Sequence, residues 1–182
     1  MQVAPTDREL WNAFKNGDRE SFGILFRRYY PVLFQYGSKL CRDLNLLEDC
    51  IQELFIELWQ SRSTTTVQSV KAYLLRALKY KLFRIYRNNQ GQRTTEVTDD
   101  MAFELSYENL LISNNEDQQK QLRISNAIQQ LPDRQKEIIY LKLYQGLNYN
   151  ELSEVMEINY QVTRNLFYQS IKSLRGILAS SE

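Results

Sequence analysis

Histidine is absent from this chain of 182 residues, and cysteine occurs only twice, as Cys41 and Cys50. Without histidine there can be no Ser-His-Asp or Cys-His arrangement and no zinc site of the usual Cys/His type. The two cysteines form no Cys-x-x-Cys pair, which favours a reduced compartment over a disulfide or a metal site. The six glycines form no phosphate-cradling loop. We therefore expect no enzyme, metal, cofactor or small-molecule substrate; only a mechanism built on an isolated carboxylate or lysine would remain.

Long apolar runs are missing as well. No stretch of eighteen apolar residues and no signal-like amino terminus occur, which predicts a cytoplasmic protein without membrane insertion. The net charge of +1 conceals a strong segregation of charge along the chain. The segment 61–93 carries eight Lys/Arg and no acid, whereas 94–117 carries seven acids and no base. The basic segment indicates a polyanionic partner.

Most of the chain outside residues 89–119 has the apolar spacing of three and four residues that is typical of helices. Capping boxes at 6–9 and 148–151 mark helix starts, and Gly146 marks a helix end. The acidic, irregular segment 89–119 is predicted to be a flexible linker that builds no core. The predicted fold class is all-α, with a helical domain at 1–88, the linker at 89–119 and a second helical domain at 120–182.

The most unusual segment is a predicted helix over 71–87. Its apolar stripe consists of Leu74, Leu75, Leu78, Leu82 and Ile85. Its opposite face is predicted to alternate cations with rings, namely Tyr73, Arg76, Lys79, Tyr80, Phe83, Arg84 and Arg87. Cations bind phosphates and flat rings stack on unpaired bases, so this face indicates binding of single-stranded nucleic acid. A solvated basic face whose rings pack against a neighbouring helix is the alternative.

The preceding predicted helix exposes a polar side with one apolar member. This side carries Asp49, Gln52, Glu53 and Ile56. An apolar residue within a polar surface is typical of docking sites, although a solvated face explains the pattern as well. The polar loop 60–69, which includes Arg62, follows this helix. Its hydroxyl and amide side chains can hydrogen-bond a base that has turned out of its stack.

The end of the chain has the layout of a helix-turn-helix: a short helix to Met156, a turn over 157–159 and a longer helix over 160–178. The last helix is predicted to bury Leu166, Phe167, Ile171 and Leu174. It begins with Tyr160 and is predicted to expose Gln161, Arg164, Asn165, Tyr168 and Lys172. Gln, Arg and Asn can make two-point hydrogen bonds to adenine or guanine in a major groove. A helical hairpin that merely packs is the alternative.

Taken together, these features resemble the extracytoplasmic-function (ECF) group of bacterial RNA polymerase sigma factors over nearly the whole chain. Residues 49–55 (Asp-Cys-Ile-Gln-Glu-Leu-Phe) resemble the family's Asp-x-x-Gln-x-x-Phe segment, which docks on the polymerase. Tyr73-Leu74 followed by Arg87 resembles the Trp-Leu…Arg pattern of the helix that holds the melted −10 element. Residues 131–132 (Leu-Pro), 146–149 (Gly-Leu-Asn-Tyr) and 151–153 (Glu-Leu-Ser) resemble the lead-in to the helix-turn-helix that reads the −35 element.

The resemblance implies a role for each set of residues. Binding of core polymerase is implied for Asp49, Gln52, Glu53 and Ile56. Binding of −10 DNA is implied for Arg62, Tyr73, Arg76, Lys79, Tyr80, Phe83, Arg84 and Arg87. Binding of −35 DNA is implied for Tyr160, Gln161, Arg164, Asn165, Tyr168 and Lys172.

The chain departs from the family pattern at three places. Tyr80 stands where the family often has Asn, and Arg84 where it often has Asp, so the strand-holding face is more basic and aromatic than usual. In the last helix, Val162-Thr163 reverses the usual Thr-Val order.

As a function, the resemblance implies a sigma factor that binds core RNA polymerase, directs it to promoter DNA and promotes melting. It also implies an anti-sigma protein as a further partner. Two alternatives from other classes stay open at this point. One is a helix-turn-helix regulator that binds duplex DNA without joining polymerase, and the other is an RNA-binding protein that uses the helix over 71–87.

Overall fold

A computed structural model of the chain describes residues 4–61, 67–90, 102–105 and 118–180. All regular structure within these ranges is helical, which confirms the all-α prediction. The chain divides into two compact units, Met1–Val97 and Thr98–Glu182. The first unit contains α1 (Asp7–Lys15), α2 (Arg19–Gly37), α3 (Leu44–Ser61) and α4 (Val70–Gln90). The second contains α5 (Gln118–Gln129), α6 (Asp133–Ile139), a π-helical turn (Tyr140–Tyr144), α7 (Tyr149–Met156) and α8 (Tyr160–Ala179).

The start of α1 is fixed by the predicted capping box. The Thr6 hydroxyl accepts from the Glu9 N–H at 3.3 Å, and the Glu9 carboxylate accepts from the Thr6 N–H at 2.8 Å. These bonds satisfy amide donors that the first helical turn leaves unpaired. The Asp7 carboxylate accepts hydrogen bonds from the Arg28 guanidinium and from the Tyr29 hydroxyl. The short helix α1 is thereby held against α2.

Aromatic rings from α1, α2 and α3 meet in the core of the first unit. The ring centroid of Phe22 lies 5.3 Å from that of Phe14 and 5.0 Å from that of Trp59. Gly37 allows α2 and α3 to approach closely, because a Cβ at this position would lie 2.3 Å from Leu47 Cδ1. The helix α4 packs against all three other helices. It is therefore covered by protein over a wide arc.

The core of the second unit includes the π-helical turn. The Gln145 N–H donates to the Tyr140 carbonyl five residues earlier at 3.1 Å, which is the bonding pattern of a π-helix. The Tyr140 hydroxyl is buried and accepts from Gln145 Nε2 at 2.9 Å. Gly146 then turns the chain with a φ of 69°, in the left-handed region where a helix-ending glycine is favoured.

A short piece of the predicted linker also belongs to this core. The Phe103 ring lies 5.6 Å from that of Tyr140, and the Leu105 carbonyl accepts from Gln129 Nε2 at 3.5 Å. The segment 89–119 was predicted to build no core of its own, and these two residues are buried in the core of the second unit instead. Phe103 and Leu105 are buried while the intervening Glu104 is exposed, so the acidic composition concealed two apolar side chains that share one side.

The predicted helix-turn-helix is formed by α7, the turn over 157–159 and α8. The Asn148 side chain accepts from the Glu151 N–H at 3.1 Å, and the Glu151 carboxylate accepts from the Asn148 N–H at 2.8 Å. Glu157 ends α7 in the left-handed backbone region with a φ of 53°. Asn159 begins α8 by accepting from the Val162 N–H at 2.9 Å. Local capping chemistry thus defines both helix ends at the turn.

Candidate functional site

One strip of α3 brings the four predicted docking residues together. The exposed strip consists of Asp49, Gln52, Glu53 and Ile56. The Ile56 side chain is 54% exposed among polar neighbours, while Leu47 and Ile51 on the opposite side are fully buried. The placement on one exposed face is confirmed, and the docking role stays a prediction.

Lys81 of α4 contacts this strip, and sequence reasoning missed it. Its Nζ lies 3.0 Å from Glu53 Oε2 and 2.8 Å from Glu57 Oε1, and its side chain is only 15% exposed. Burial lowers the pKa of Lys81, but the hydrogen bonds to Glu57 and Glu53 raise it, and the net result is a pKa above the ordinary value. The signal in the sequence was the pair of acids four residues apart on α3. Glu53 is thus already bound within the chain before any partner docks.

The cationic and aromatic face of α4 is narrower than the sequence predicted. Arg76, Tyr80 and Arg84 lie at spacings of four residues and are exposed, with Tyr80 at 55%. Lys79 and Arg87 are half-buried. The face therefore presents one ring between two cations, which we call the α4 strip (Arg76, Tyr80, Arg84).

Phe83 is not part of the exposed face. It is 3% exposed, so the prediction that its ring could stack on a base is wrong. The reason is that α4 packs against α1, α2 and α3, and the buried arc extends well beyond the leucine stripe. Ile85, expected in that stripe, is only half-buried. The Arg87 guanidinium carbon lies 5.4 Å from the Phe83 ring, so the buried ring contributes a cation–π contact that helps to position Arg87.

Tyr73 occupies an intermediate position. Its ring meets Trp11 of α1 edge-on, with centroids 5.5 Å apart, and it is half-buried. Burial raises the pKa of its hydroxyl, partly offset by the charge of Arg76. Tyr73 is therefore anchored in the core while part of its surface stays accessible.

A cleft between α3 and α4 lies beside the α4 strip. Its volume is about 320 Å³, at the small end of ligand-binding clefts. Its polar and aromatic lining consists of Glu57, Ser61, Tyr73, Tyr80, Lys81 and Arg84. Ser61 is the last described residue before the polar loop, and Arg62 lies outside the described residues. The cleft thus combines ring faces, cations and hydrogen-bonding groups in one place.

In the second unit, α8 exposes the whole predicted reading set. Tyr160, Gln161, Arg164, Asn165, Tyr168 and Lys172 are all exposed, with Tyr168 at 67%. Gln161 Nε2 donates to Asn165 Oδ1 at 3.2 Å, so these two amides form a pair along the helix. The predicted buried side is only partly right, because Leu166, Phe167, Ile171 and Leu174 are half-buried.

The reversed Val162-Thr163 pair has a structural reason in this unit. Thr163 is fully buried, and its hydroxyl donates to the Asn159 carbonyl at 3.0 Å and lies 3.0 Å from the Ser153 hydroxyl. This hydrogen bonding links α8 to α7. Val162 is exposed beside Gln161, so the reversal places an apolar side chain at the start of the reading surface.

The described residues form neither a metal-binding cluster nor a membrane-spanning helix. Within them, no group of three or more carboxylate and cysteine side chains is placed to hold a metal ion. None of the described helices is both long and apolar enough to cross a membrane.

Comparison with known families matches both units. Residues 25–92 match the Sigma-70 region 2 family, and residues 121–174 match the Sigma-70, region 4 family. The first range contains α3 and α4, and the second contains the helix-turn-helix. The two candidate sites thus lie within the matched segments.

Similar proteins extend the match along the chain. The ECF RNA polymerase sigma factor SigK of Mycobacterium ulcerans is 22% identical, over 94% of this chain and 93% of its own. SigX of Bacillus subtilis is 25% identical, over 86% of this chain and 82% of its own. The fold is similar to CnrH solved with the cytosolic domain of CnrY, with a TM-score of 0.64, 17% identity and coverage of 97% and 99% of the two chains. Because both conserved sigma regions occur in order and ECF relatives align over most of its length, this chain belongs to the ECF group of bacterial RNA polymerase sigma factors, which direct the polymerase to promoters.

Proposed function

We propose that the first unit carries two functional faces of this sigma factor, one for core polymerase and one for the melted −10 element. The observation that carries the proposal is their placement on adjacent helices, with the Asp49-to-Ile56 strip on α3 and the α4 strip on its neighbour. Residues 1–88 would form this domain. The strip on α3 would bind the polymerase through Asp49, Gln52, Glu53 and Ile56.

For the −10 element, the proposed site is the cleft together with the α4 strip. Tyr80 and the accessible part of Tyr73 would stack on unpaired bases, while Arg76, Lys79, Arg84 and Arg87 would contact phosphates. Arg62, in the loop that follows Ser61, would act at the same place. Phe83 is excluded from this set because its ring is buried.

The energetics require a larger machine. Unstacking about ten base pairs costs on the order of 15 kcal/mol, whereas one base stacked on a protein ring returns about 1–3 kcal/mol. The α4 strip offers one exposed ring, that of Tyr80. A promoter can therefore be opened only when core polymerase supplies further contacts, so the functional unit is the holoenzyme.

For the −35 element, the proposed reader is α8 in residues 120–182. Gln161, Arg164 and Asn165 would contact base edges in the major groove, while Tyr160, Tyr168 and Lys172 would contact the backbone. Residues 89–119 would connect the two domains.

Partners and location follow from the family. The solved relatives include RpoE bound to the anti-sigma factor NepR from Bartonella quintana, with a TM-score of 0.59, 16% identity and coverage of 90% of this chain and 99% of that one. An anti-sigma factor is accordingly proposed as a regulator of this chain as well. The protein would act in the cytoplasm, where polymerase and chromosome are, and it would have no enzymatic activity of its own.

The test replaces Asp49, Gln52 and Ile56 together by Ala. We expect association with core polymerase to weaken by about 10- to 100-fold, because an exposed apolar anchor and its polar neighbours are lost. Helicity and melting temperature should hardly change, since all three side chains are exposed. A matched control replaces Asn12 and Glu20, which are exposed on α1 and α2 of the same unit.

The outcomes separate this assignment from its rival. Unchanged association of the triple variant would remove α3 as the docking face. No association of the unaltered chain with core polymerase, together with retained binding to duplex DNA, would favour a regulator that never joins polymerase.

A further inference from the structure

The Arg164 side chain lies beside two tyrosine rings of the helix-turn-helix. Its guanidinium carbon is 6.0 Å from the Tyr149 ring and 6.0 Å from the Tyr160 ring. Within the described residues Arg164 makes no hydrogen bond and no ion pair. Contacts with ring faces leave the N–H donors at the edge of the guanidinium free, whereas an ion pair would occupy them. The rings can therefore restrain this side chain without using its donors.

Tyr149 is the central member of this arrangement. It is the first residue of α7, so it lies outside the helix that reads DNA, and it is half-buried. Its ring meets Tyr160 edge-on at 5.9 Å and Phe167 edge-on at 6.2 Å, both on α8. These contacts fix the ring against the recognition helix. Its hydroxyl has no hydrogen bond within the described part of the chain, so the contacts of this side chain are made by the ring.

A second cation limits where the guanidinium can go. Lys142 Nζ lies 5.0 Å from the Tyr149 ring and donates to the Leu147 carbonyl at 2.9 Å. Because the backbone holds this ammonium in place, repulsion between like charges keeps Arg164 away from it.

We infer that Tyr149 is a positioning residue that restrains Arg164 for two-point recognition of a guanine in the −35 element. This inference rests on the proposed function of α8. A bidentate contact to guanine O6 and N7 requires a fixed guanidinium plane. An arginine that is restrained before binding loses less rotamer freedom when it contacts a base. The resulting gain in affinity occurs only when the base that it reads is present. Tyr149 thus contributes to the choice of sequence without touching a base.

The experiment uses the full chain assembled with core polymerase and duplex promoters whose −35 positions are varied one at a time. Arg164→Ala should relax the preference for guanine at one position by about 5- to 150-fold. Tyr149→Leu should relax the preference at the same position by about two- to fivefold, which is the range of an exposed cation–π contact. Tyr149→Phe keeps the ring and should behave like the unaltered protein.

Two further variants make the test specific. Tyr149→Leu in the Arg164→Ala background should cause no additional relaxation, because the ring acts only through that side chain. Should Tyr149→Leu fail to fold, Tyr160→Leu removes the other, exposed ring; it should relax the same position in addition to weakening binding to every sequence, because Tyr160 is also assigned to the DNA backbone. Replacing the preferred guanine by 7-deazaguanine removes N7 and should abolish the difference between the Tyr149 variants.

Three results would overturn the inference: a uniform loss of affinity for all sequences in Tyr149→Leu, an equal defect in Tyr149→Phe, or an unchanged preference in Arg164→Ala. The first indicates a packing role and the second a hydroxyl contact. Gln161→Ala and Asn165→Ala provide the separate check on the proposed function. If they shift preferences at other positions, α8 still reads the −35 element; if they change nothing, that assignment fails as well.

Discussion

The two helices proposed to contact DNA, α4 and α8, each pack against three other helices of their own unit but bury their side chains to different depths. The first packs against three helices and buries leucines together with Phe83, leaving the α4 strip beside a cleft. The second fully buries only two of its described residues, Thr163 and Ser170, and its apolar side chains are half-buried. One helix thus buries many whole side chains, and the other leaves most of its side chains partly or fully exposed.

This difference suits two forms of DNA. A base in a single strand can turn toward a ring at the edge of a cleft, so an embedded helix with a narrow exposed strip is sufficient. A duplex is read in its major groove, which a helix with a broad exposed face can enter. The contrast suggests that core packing and DNA contact compete for side chains on α4 much more than on α8.

The largest expected effect comes from removing the buried ring of α4, and it is compared with removal of the exposed ring of the same helix. Phe83→Ala should lower the free energy of unfolding of the first unit by about 3–5 kcal/mol, because it leaves a cavity in a packed core. Tyr80→Ala should change stability little but weaken binding of the holoenzyme to a pre-melted −10 bubble by about 1–3 kcal/mol. Both tryptophans, Trp11 and Trp59, lie in the first unit, so thermal unfolding followed by tryptophan fluorescence measures that unit.

Circular dichroism, which senses both units, is the companion measurement for these variants. A stable Phe83→Ala protein with a defect on the bubble would contradict the burial of this ring and return it to the DNA-binding set.

A smaller effect is expected on the salt dependence of DNA binding. It should differ between charged and aromatic side chains, and between single-stranded and duplex DNA. Arg84→Gln should reduce the salt dependence of −10 bubble binding by about 0.7 in the logarithmic slope, since one phosphate contact to a single strand is lost. Lys172→Gln should reduce the slope for a −35 duplex by about 0.9. Tyr80→Leu should weaken bubble binding without changing the slope, because stacking releases no counterions. Binding titrations at several salt concentrations measure all three slopes.

Equal slopes for the Arg84 and Tyr80 variants would indicate that the α4 strip does not follow a DNA backbone. A Lys172 variant that alters only particular promoter sequences would contradict its assignment to a phosphate.

The smallest effect concerns alkaline pH and the core of the second unit. Burial raises the pKa of Tyr140 to about 12, an effect that the hydrogen bond from Gln145 partly offsets. Because the folded pKa lies above the unfolded value of about 10, the contribution to stability is complete below pH 10 and is lost as the pH rises toward 12. Tyr140→Phe should make unfolding of the second unit less sensitive to pH in this window.

The readout is the melting transition seen by circular dichroism but not by tryptophan fluorescence, measured between pH 9 and about 11.5. Tyr168→Phe, at an exposed position, is the control. The same pH dependence in the Tyr140 and Tyr168 variants would show that Tyr140 does not titrate in this way.

What could be predicted from the sequence was set by local chemistry. Capping boxes, the turn over 157–159 and the exposed strip on α3 depend on neighbours within a few residues, and the structure places them as expected. Phe83 was misplaced because a helical wheel describes one helix and contains no information on how many neighbours surround it. The acidic composition of 89–119 gave no indication of where Phe103 and Leu105 would be buried, because composition averages over a segment in which only alternate residues are buried.

Long-range contacts explain the remaining omissions. The acids on α3 were visible in the sequence, but their common partner Lys81 lies 24 residues from Glu57. Arg164 of α8 contacts the ring of Tyr149, which is the first residue of a different helix, α7. Such pairs are determined by the packing of helices, which the sequence pattern of a single helix does not specify.

The turn of the helix-turn-helix has a consequence for how this protein can change over evolutionary time. Glu157 adopts a left-handed backbone that costs a residue with a Cβ roughly 1–2 kcal/mol and that glycine adopts freely. The free energy of unfolding of a small domain is only a few kcal/mol. The cost at Glu157 is therefore a sizeable fraction of the stability that the domain can lose through further substitutions and still fold. If α8 reads the −35 element as proposed, new promoter preferences would arise by substitutions on α8, and each substitution that destabilises the domain would reduce the same margin of stability. A glycine at position 157 would widen that margin and so enlarge the set of reading residues that a folded domain can accept.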